Sequence, residues 1–170
     1  ISGGLLVQSR NNGLYEKWDV VTQAAFPEEK RKLAEFSLAA CKHTKSNAVV
    51  LAREYEKGFF QILAIGAGQP NRVDAIRKLA ATKAVDNLKL LYEHEKPGVS
   101  EDEFIRNIMS ECVMASDAFF PFDDSIVFSA ESHIRYIVSP GGSIRDKEVI
   151  ATADRLGISL VFTGMRHFLH

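Results

Sequence analysis

The 170-residue chain has almost no net charge, −1 at neutral pH with a pI of about 6.6. Nothing in that balance favours nucleic acid or an anionic membrane surface. No apolar run approaches the roughly 20 residues needed to cross a bilayer, and no segment reads as a signal peptide; the expected location is cytoplasmic. Cysteine is scarce. Cys41 and Cys112 stand far apart in a helix-like and a strand-like context, which predicts two buried free thiols rather than a disulfide framework. Metal-ligand patterns are missing too: the five histidines show no HxxxH or HxE spacing and there is no CxxC, so zinc is not expected. There is no Gly-x-Ser-x-Gly elbow, no dinucleotide fingerprint and no P-loop.

What is present is a 46% hydrophobic chain of one-domain size, enough for a real core. It opens on Ile1 rather than Met and reads as a segment of a longer protein. Leu5-Leu-Val-Gln8 is a short strand candidate. Pro27-Glu-Glu opens a helix with acids in its first turn, and Leu33, Phe36, Ala40 and Cys41 fall on one face of it. Ala48–Arg53 and Phe59–Ile65 predict a hairpin turning at Glu56-Lys-Gly58. A long helix follows with Val73, Ile76, Ala80, Ala84, Leu88 and Leu91 as its stripe. Ser100-Glu-Asp-Glu103 is a capping box for a second helix, and this region reads as a surface insertion. From Cys112 onward the pattern alternates: strand to Ser116, helix over Asp124–Glu131, strand Ile134–Val138, helix after Ser143, strand Ile158–Phe162. That predicts an α/β sheet with crossovers, whose ligands gather outside the carboxyl ends of the strands.

Several loops follow strands and belong on that rim. Gly66-Ala-Gly-Gln-Pro-Asn-Arg72 is either an ordinary tight turn or a place where backbone N–H groups and Arg72 meet an anion. Phe119-Phe-Pro-Phe122 beside Asp117, Asp123 and Asp124 is either core or a slot for a flat heterocycle whose N–H groups meet a carboxylate. Pro140-Gly-Gly-Ser143 is a turn with Ser143 as helix cap. Asn47, at the start of a buried strand, needs partners for its amide. Lys42-His43 looks like a catalytic pair but suits dipole-stabilising charges at a helix end.

With these residues laid out, the chain resembles the C-terminal half of the transformylase domain of bifunctional purine biosynthesis proteins. The resemblance rests on Gly3-Gly-Leu-Leu-Val-Gln8, Lys45-Ser-Asn-Ala48, Ile65-Gly-Ala-Gly-Gln69 with Arg72, Ser116-Asp-Ala-Phe-Phe-Pro-Phe122, Pro140-Gly-Gly-Ser-Ile-Arg-Asp146 and Met165-Arg-His-Phe168. Residues 91–111 match least and read as an insertion. The resemblance implies a layered α/β/α sandwich, cytidine-deaminase-like without zinc, with 1–170 forming the second subdomain of a 5-aminoimidazole-4-carboxamide ribonucleotide (AICAR) formyltransferase domain. It implies formyl transfer from 10-formyltetrahydrofolate to the 5-amine of AICAR, a homodimer, and a site shared with the remainder of the polypeptide. In such proteins a separate domain closes the ring to IMP. Carried over by position, Asn47, Arg72 and Arg166 are AICAR-side residues, with Asn47 assisting catalysis. Val73, Phe119, Asp124, Ser143 and Ile144 are folate-side. The principal catalytic Lys-His pair is expected outside this chain. Asp123 stands where relatives often carry Arg, which adds a negative charge beside Asp124. The competing reading is a folate- or nucleotide-binding or dimerisation module without its own catalysis.

Overall fold

The computed structural model describes residues 3–5, 7–8 and 10–170. Six strands form one mixed sheet in the order β1-β6-β5-β4-β2-β3. They are β1 (Asp19–Val20), β2 (Val49–Glu56), β3 (Phe59–Gly66), β4 (Val113–Ser116), β5 (Tyr136–Ser139) and β6 (Ser159–Phe162). β4, β5 and β6 run parallel, as the alternating pattern predicted. β2 runs antiparallel to both β3 and β4.

Side chains alternate across the strands and fill a core on each face of the sheet. Val50, Ala52, Val113, Ala115, Val138 and Val161 pack with Leu33, Leu38 and Cys41 of α1 (Arg31–Lys42). Their neighbours Val49, Leu51, Met114, Ile137 and Leu160 pack with the remaining helices. Each large apolar side chain removed from water this way contributes roughly 1.5–3 kcal/mol before the entropy of ordering it. β4, β5, β6 and the first half of β2 are almost continuously buried because both of their faces are covered.

On the second face a helical run begins with α2 (Arg72–Asp74), widens into a π-helical stretch (Ala75–Ala80) and continues as α3 (Ala81–Glu95). The predicted stripe holds at Ile76, Ala80, Ala84 and Leu88, all buried. Ser100 caps α4 (Glu101–Glu111) by accepting a hydrogen bond from the Glu103 N–H. The stretch expected to be an insertion contributes Ile105 and Met109 to the core. α5 (Asp124–Glu131) and α6 (Asp146–Arg155) complete this face.

Two sequence expectations need correction. Leu5, Val7 and Gln8 are irregular and exposed, so the first predicted strand is not formed there; Leu6 lies outside the described residues. Leu5 and Val7 are 86% and 79% exposed and have no face to bury. β1 lies instead at Asp19–Val20, against the edge of β6. On α1 the buried face runs through Leu33, Ala34, Ser37, Leu38 and Cys41, with Phe36 and Ala40 only partly covered. Ser37 is tolerated inside because its hydroxyl donates to the Val50 carbonyl.

The register fixes one functional edge. Val49 pairs with Gly66 on one side and with Ser116 on the other. The start of β2 therefore meets the carboxyl ends of β3 and β4, while Ser139 pairs with Phe162 at the ends of β5 and β6. The loops that leave β3, β4, β5 and β6 all start from this edge. Gly66 is required there: a Cβ would run into the Ala75 carbonyl, where the helical run lies against β3.

Candidate functional site

The rim encloses a cleft of about 420 Å³ lined by Asn47, Pro70, Asn71, Arg72, Val73, Ala118, Phe119, Pro121, Phe122, Asp124, Ser125 and Phe168. Arg72 organises its floor. It opens the helical run after β3 and is 6% exposed. Its Nη1 donates to Asp117 Oδ1 at 2.7 Å, its Nη2 to Asn47 Oδ1 at 2.9 Å and its Nε to the Phe119 carbonyl at 3.2 Å. Burial lowers the Arg72 pKa from its ordinary value, and the Asp117 charge opposes that shift. Arg72 stays cationic, since guanidinium does not deprotonate in proteins. Of the two readings of this loop, the one with an Arg72 fork free for an anion is not met: the fork is engaged with the protein.

Asn47 has the partners that its position demands. Its Nδ2 donates to the Gln69 and Pro70 carbonyls at 2.9 and 3.0 Å, while its Oδ1 accepts from Arg72. The amide orientation follows from chemistry: Arg can only donate and a carbonyl can only accept. Both amide hydrogens are thus committed, and Asn47 offers a ligand its acceptor oxygen. The Ser46–Asn47 peptide is cis.

Asp117, the first residue after β4, is fully buried. Its carboxylate accepts from Arg72 and from the Ser46 hydroxyl, and its carbonyl accepts from the His167 N–H at 2.8 Å. Ser46 in turn exchanges backbone and side-chain hydrogen bonds with Leu169. This lattice holds Phe168, between those two anchors, against the cleft. Sequence reading passed over Asp117 and Ser46 as organisers. One signal was available: a carboxylate directly after a short, largely apolar strand must find a cation or several donors.

The aromatic motif divides between core and cleft. Phe120 is buried in the core, Phe119 is half-buried in the cleft wall and Phe122 is 49% exposed there. Asp124 opens α5 with its carboxylate on the cleft, held by the Ser125 N–H at 2.6 Å. Asp123 turns away and accepts from Thr152 Oγ1 of α6 at 2.8 Å. The extra charge read from the sequence is thereby spent on joining two helices.

Five of the eight sequence-derived residues, Asn47, Arg72, Val73, Phe119 and Asp124, line this one cleft. Ser143, Ile144 and Arg166 do not. Ser143 is also not the N-cap: α6 starts at Asp146 after Arg145. The Ser143 hydroxyl accepts from the Arg145 N–H, and the Asp146 carboxylate reaches back to the Gly142 and Ser143 N–H groups. Half of a capping box is thus formed, with the serine turned to a nearer donor. Ile144 is fully exposed beside it. Arg166 is exposed, with its guanidinium 5.8 Å from the centre of the Phe168 ring. Lys42 donates to the Gly13 carbonyl, and with His43 it lines a smaller hollow of about 270 Å³ that shares Phe168 with the cleft.

Cys41 and Cys112 are free and buried, as expected. Burial pushes the Cys41 thiol far above its ordinary range and Cys112 up to about 12. Among the described residues no cluster of three or more His, Cys, Asp or Glu is arranged for a metal ion, and no helix is long and apolar enough to cross a membrane.

Over its whole length the chain is similar to bifunctional purine biosynthesis proteins. It is 41% identical to the protein PurH of Bartonella bacilliformis, 43% to that of Brucella anthropi and 42% to that of Ligilactobacillus salivarius, with 100% of this chain covered each time. A family profile described as AICARFT/IMPCHase bienzyme matches residues 1–83. The chain spans 28–29% of the length of these relatives.

Proposed function

We propose that this chain is the second subdomain of an AICAR formyltransferase domain, cytidine-deaminase-like in its layering, in a bifunctional purine biosynthesis protein. It helps to transfer formyl from 10-formyltetrahydrofolate to the 5-amine of AICAR. The observation that carries the reading is the Arg72–Asn47–Asp117 unit flooring a cleft walled by Phe119, Phe122 and Asp124, in a chain similar to PurH proteins throughout.

In this reading the AICAR carboxamide donates to Asn47 Oδ1, while Arg166 meets the phosphate. Phe119 and Val73 take the flat face of the pterin, and Asp124 accepts its amino-edge N–H groups. Ser143 and Ile144 flank the folate from the next loop. The 5-amine is a poor nucleophile, because its lone pair is drawn into the ring and carboxamide. A base must take its proton as the formyl carbon is attacked, and that base comes from the Lys-His pair of the preceding half. The contribution of this chain is to hold two large substrates in line. The remainder of the polypeptide and a second subunit complete the site, in the cytoplasm.

The test is a formyl-transfer assay on this chain and on its full-length parent. Activity confined to the parent supports a composite site. Activity in neither favours the alternative, a folate- or nucleotide-binding or dimerisation module. Activity in the chain alone would locate the base here and make Lys42-His43 the first suspects.

A further inference from the structure

Two rings that line the cleft each carry an arginine. Arg166 lies 5.8 Å from the centre of Phe168, and Arg145 lies 4.6 Å from the centre of Phe122. The first is already assigned to a nucleotide phosphate. The second has no part in the function proposed above, and its surroundings say what it can bind. The loop carrying it, Gly141–Arg145, has two backbone N–H groups that would suit an anion, those of Gly142 and Ser143. Both are occupied by the Asp146 carboxylate. The cationic group that the loop offers an anion is the Arg145 guanidinium. That group is 51% exposed, and its charged partner is Glu148 on the next helical turn, at 3.4 Å and itself 49% exposed. The guanidinium lies over the ring of Phe122, which lines the cleft, and its contact with Glu148 uses Nη1 alone, leaving most of its five donors open.

We infer that Arg145 is a specificity-determining residue that receives the carboxylates of the glutamate tail of the folate. The inference rests on the folate reading of the cleft. A pterin seated between Phe119 and Asp124 would lead its tail out past Phe122, where a planar fork matches a carboxylate in geometry and charge. Each added glutamate brings another carboxylate to the same place, so the residue favours longer tails. Glu148 yields its weak contact to solvent when the tail arrives.

The test is calorimetric titration of the full-length polypeptide with three probes: 10-formyltetrahydrofolate monoglutamate, its triglutamate, and the neutral diester of the monoglutamate. The triglutamate is expected to bind roughly threefold to tenfold more tightly than the monoglutamate, as suits a partly exposed charge-assisted contact. In Arg145→Ala that preference should fall to near unity with diester affinity unchanged, and Arg145→Lys should keep part of it. Equal weakening of triglutamate and diester in Arg145→Ala would reduce the residue to a cover for Phe122 and overturn the inference. So would a preference that survives the substitution, or none in the wild type. If no probe binds the wild type at all, the folate reading itself fails and the inference falls with it.

Discussion

Arg72 and Asp117, 45 residues apart in sequence, meet as an ion pair at 2.7 Å with side chains 5% and 0% exposed. This pair joins the turn after β3 to the turn after β4, and through Ser46 and His167 it also reaches the start of β2 and the C-terminal segment. Removing one partner leaves the other charge buried and unmatched. Arg72→Met or Asp117→Leu should each cost about 3–5 kcal/mol, whereas the double variant should lose far less than their sum. Urea denaturation of the four proteins checks this. Additive losses would mean that the two side chains act independently.

Asp124 is held only by its own helix terminus, so a change there can be separated from folding. Asp124→Asn keeps the shape and removes the charge that the proposed function aims at the pterin edge. It should weaken folate binding about tenfold or more, the loss of a charge-assisted hydrogen bond, and leave AICAR affinity unchanged. Calorimetry on the parent enzyme reads both; an equal loss of the two ligands contradicts the folate assignment.

His167 gives a pH dependence. It is fully buried, its Nε2 donates to the Leu14 carbonyl at 2.9 Å, and its Nδ1 accepts from Asn11 at 2.8 Å. Burial lowers its pKa below the ordinary 6.5. The unfolded chain therefore binds this proton more readily than the native one. The associated stability is complete above pH 6.5 and declines as pH falls from there toward the depressed native value. Urea midpoints measured between about pH 7.5 and 5 should fall for the wild type, and less steeply for His167→Gln, which keeps a donor for Leu14. Parallel slopes would exclude His167 as the source.

The two thiols should be silent in the native protein. Their raised pKa values and complete burial suppress the thiolate that reacts. Ellman's reagent at pH 8 should register neither until denaturant is added. Cys41→Ser and Cys112→Ser should each leave the activity of the parent nearly intact. A fast native thiol, or a selective drop in kcat, would show that one of them has been misjudged.

Gly66→Ala is the backbone counterpart. The new methyl group meets the Ala75 carbonyl, so the helical run must move off β3. A loss of about 1–3 kcal/mol is expected from such overpacking. Because Arg72 sits three residues before that contact, ligand affinity should fall as well. An unchanged denaturation midpoint would mean that the two elements yield easily.

The parts of the fold legible in the sequence were those with strong local signals. β4, β5 and β6 are apolar runs closed by Pro, Gly or Ser-Asp, and Ser100 advertises its helix start. β1 is two residues long with neither side chain buried, so periodicity had nothing to register. Leu5-Leu-Val looked like a strand because composition cannot say whether a neighbour exists to cover it. Of the loops with ring and glycine motifs, Gly66–Arg72 and Phe119–Asp124 contribute to the cleft, whereas Pro140-Gly-Gly-Ser143 lies off it. Pairings such as Arg72 with Asp117, or Asp123 with Thr152, depend on how distant elements converge, and no local pattern encodes them.

Because β3, β4, β5 and β6 point the same way, the cleft lies at one edge of the sheet and several of the joints at the other. The turns at Lys57-Gly58, Lys96, His133 and Gly157 lie away from the strand ends that build the cleft; Gly58, Lys96, His133 and Gly157 have positive φ. Those joints can change length without disturbing Arg72, Asn47 or Asp124. They are the places to attach a fluorophore or affinity tag, or to open the chain for circular permutation, and reporters placed there should follow folding while remaining blind to ligand.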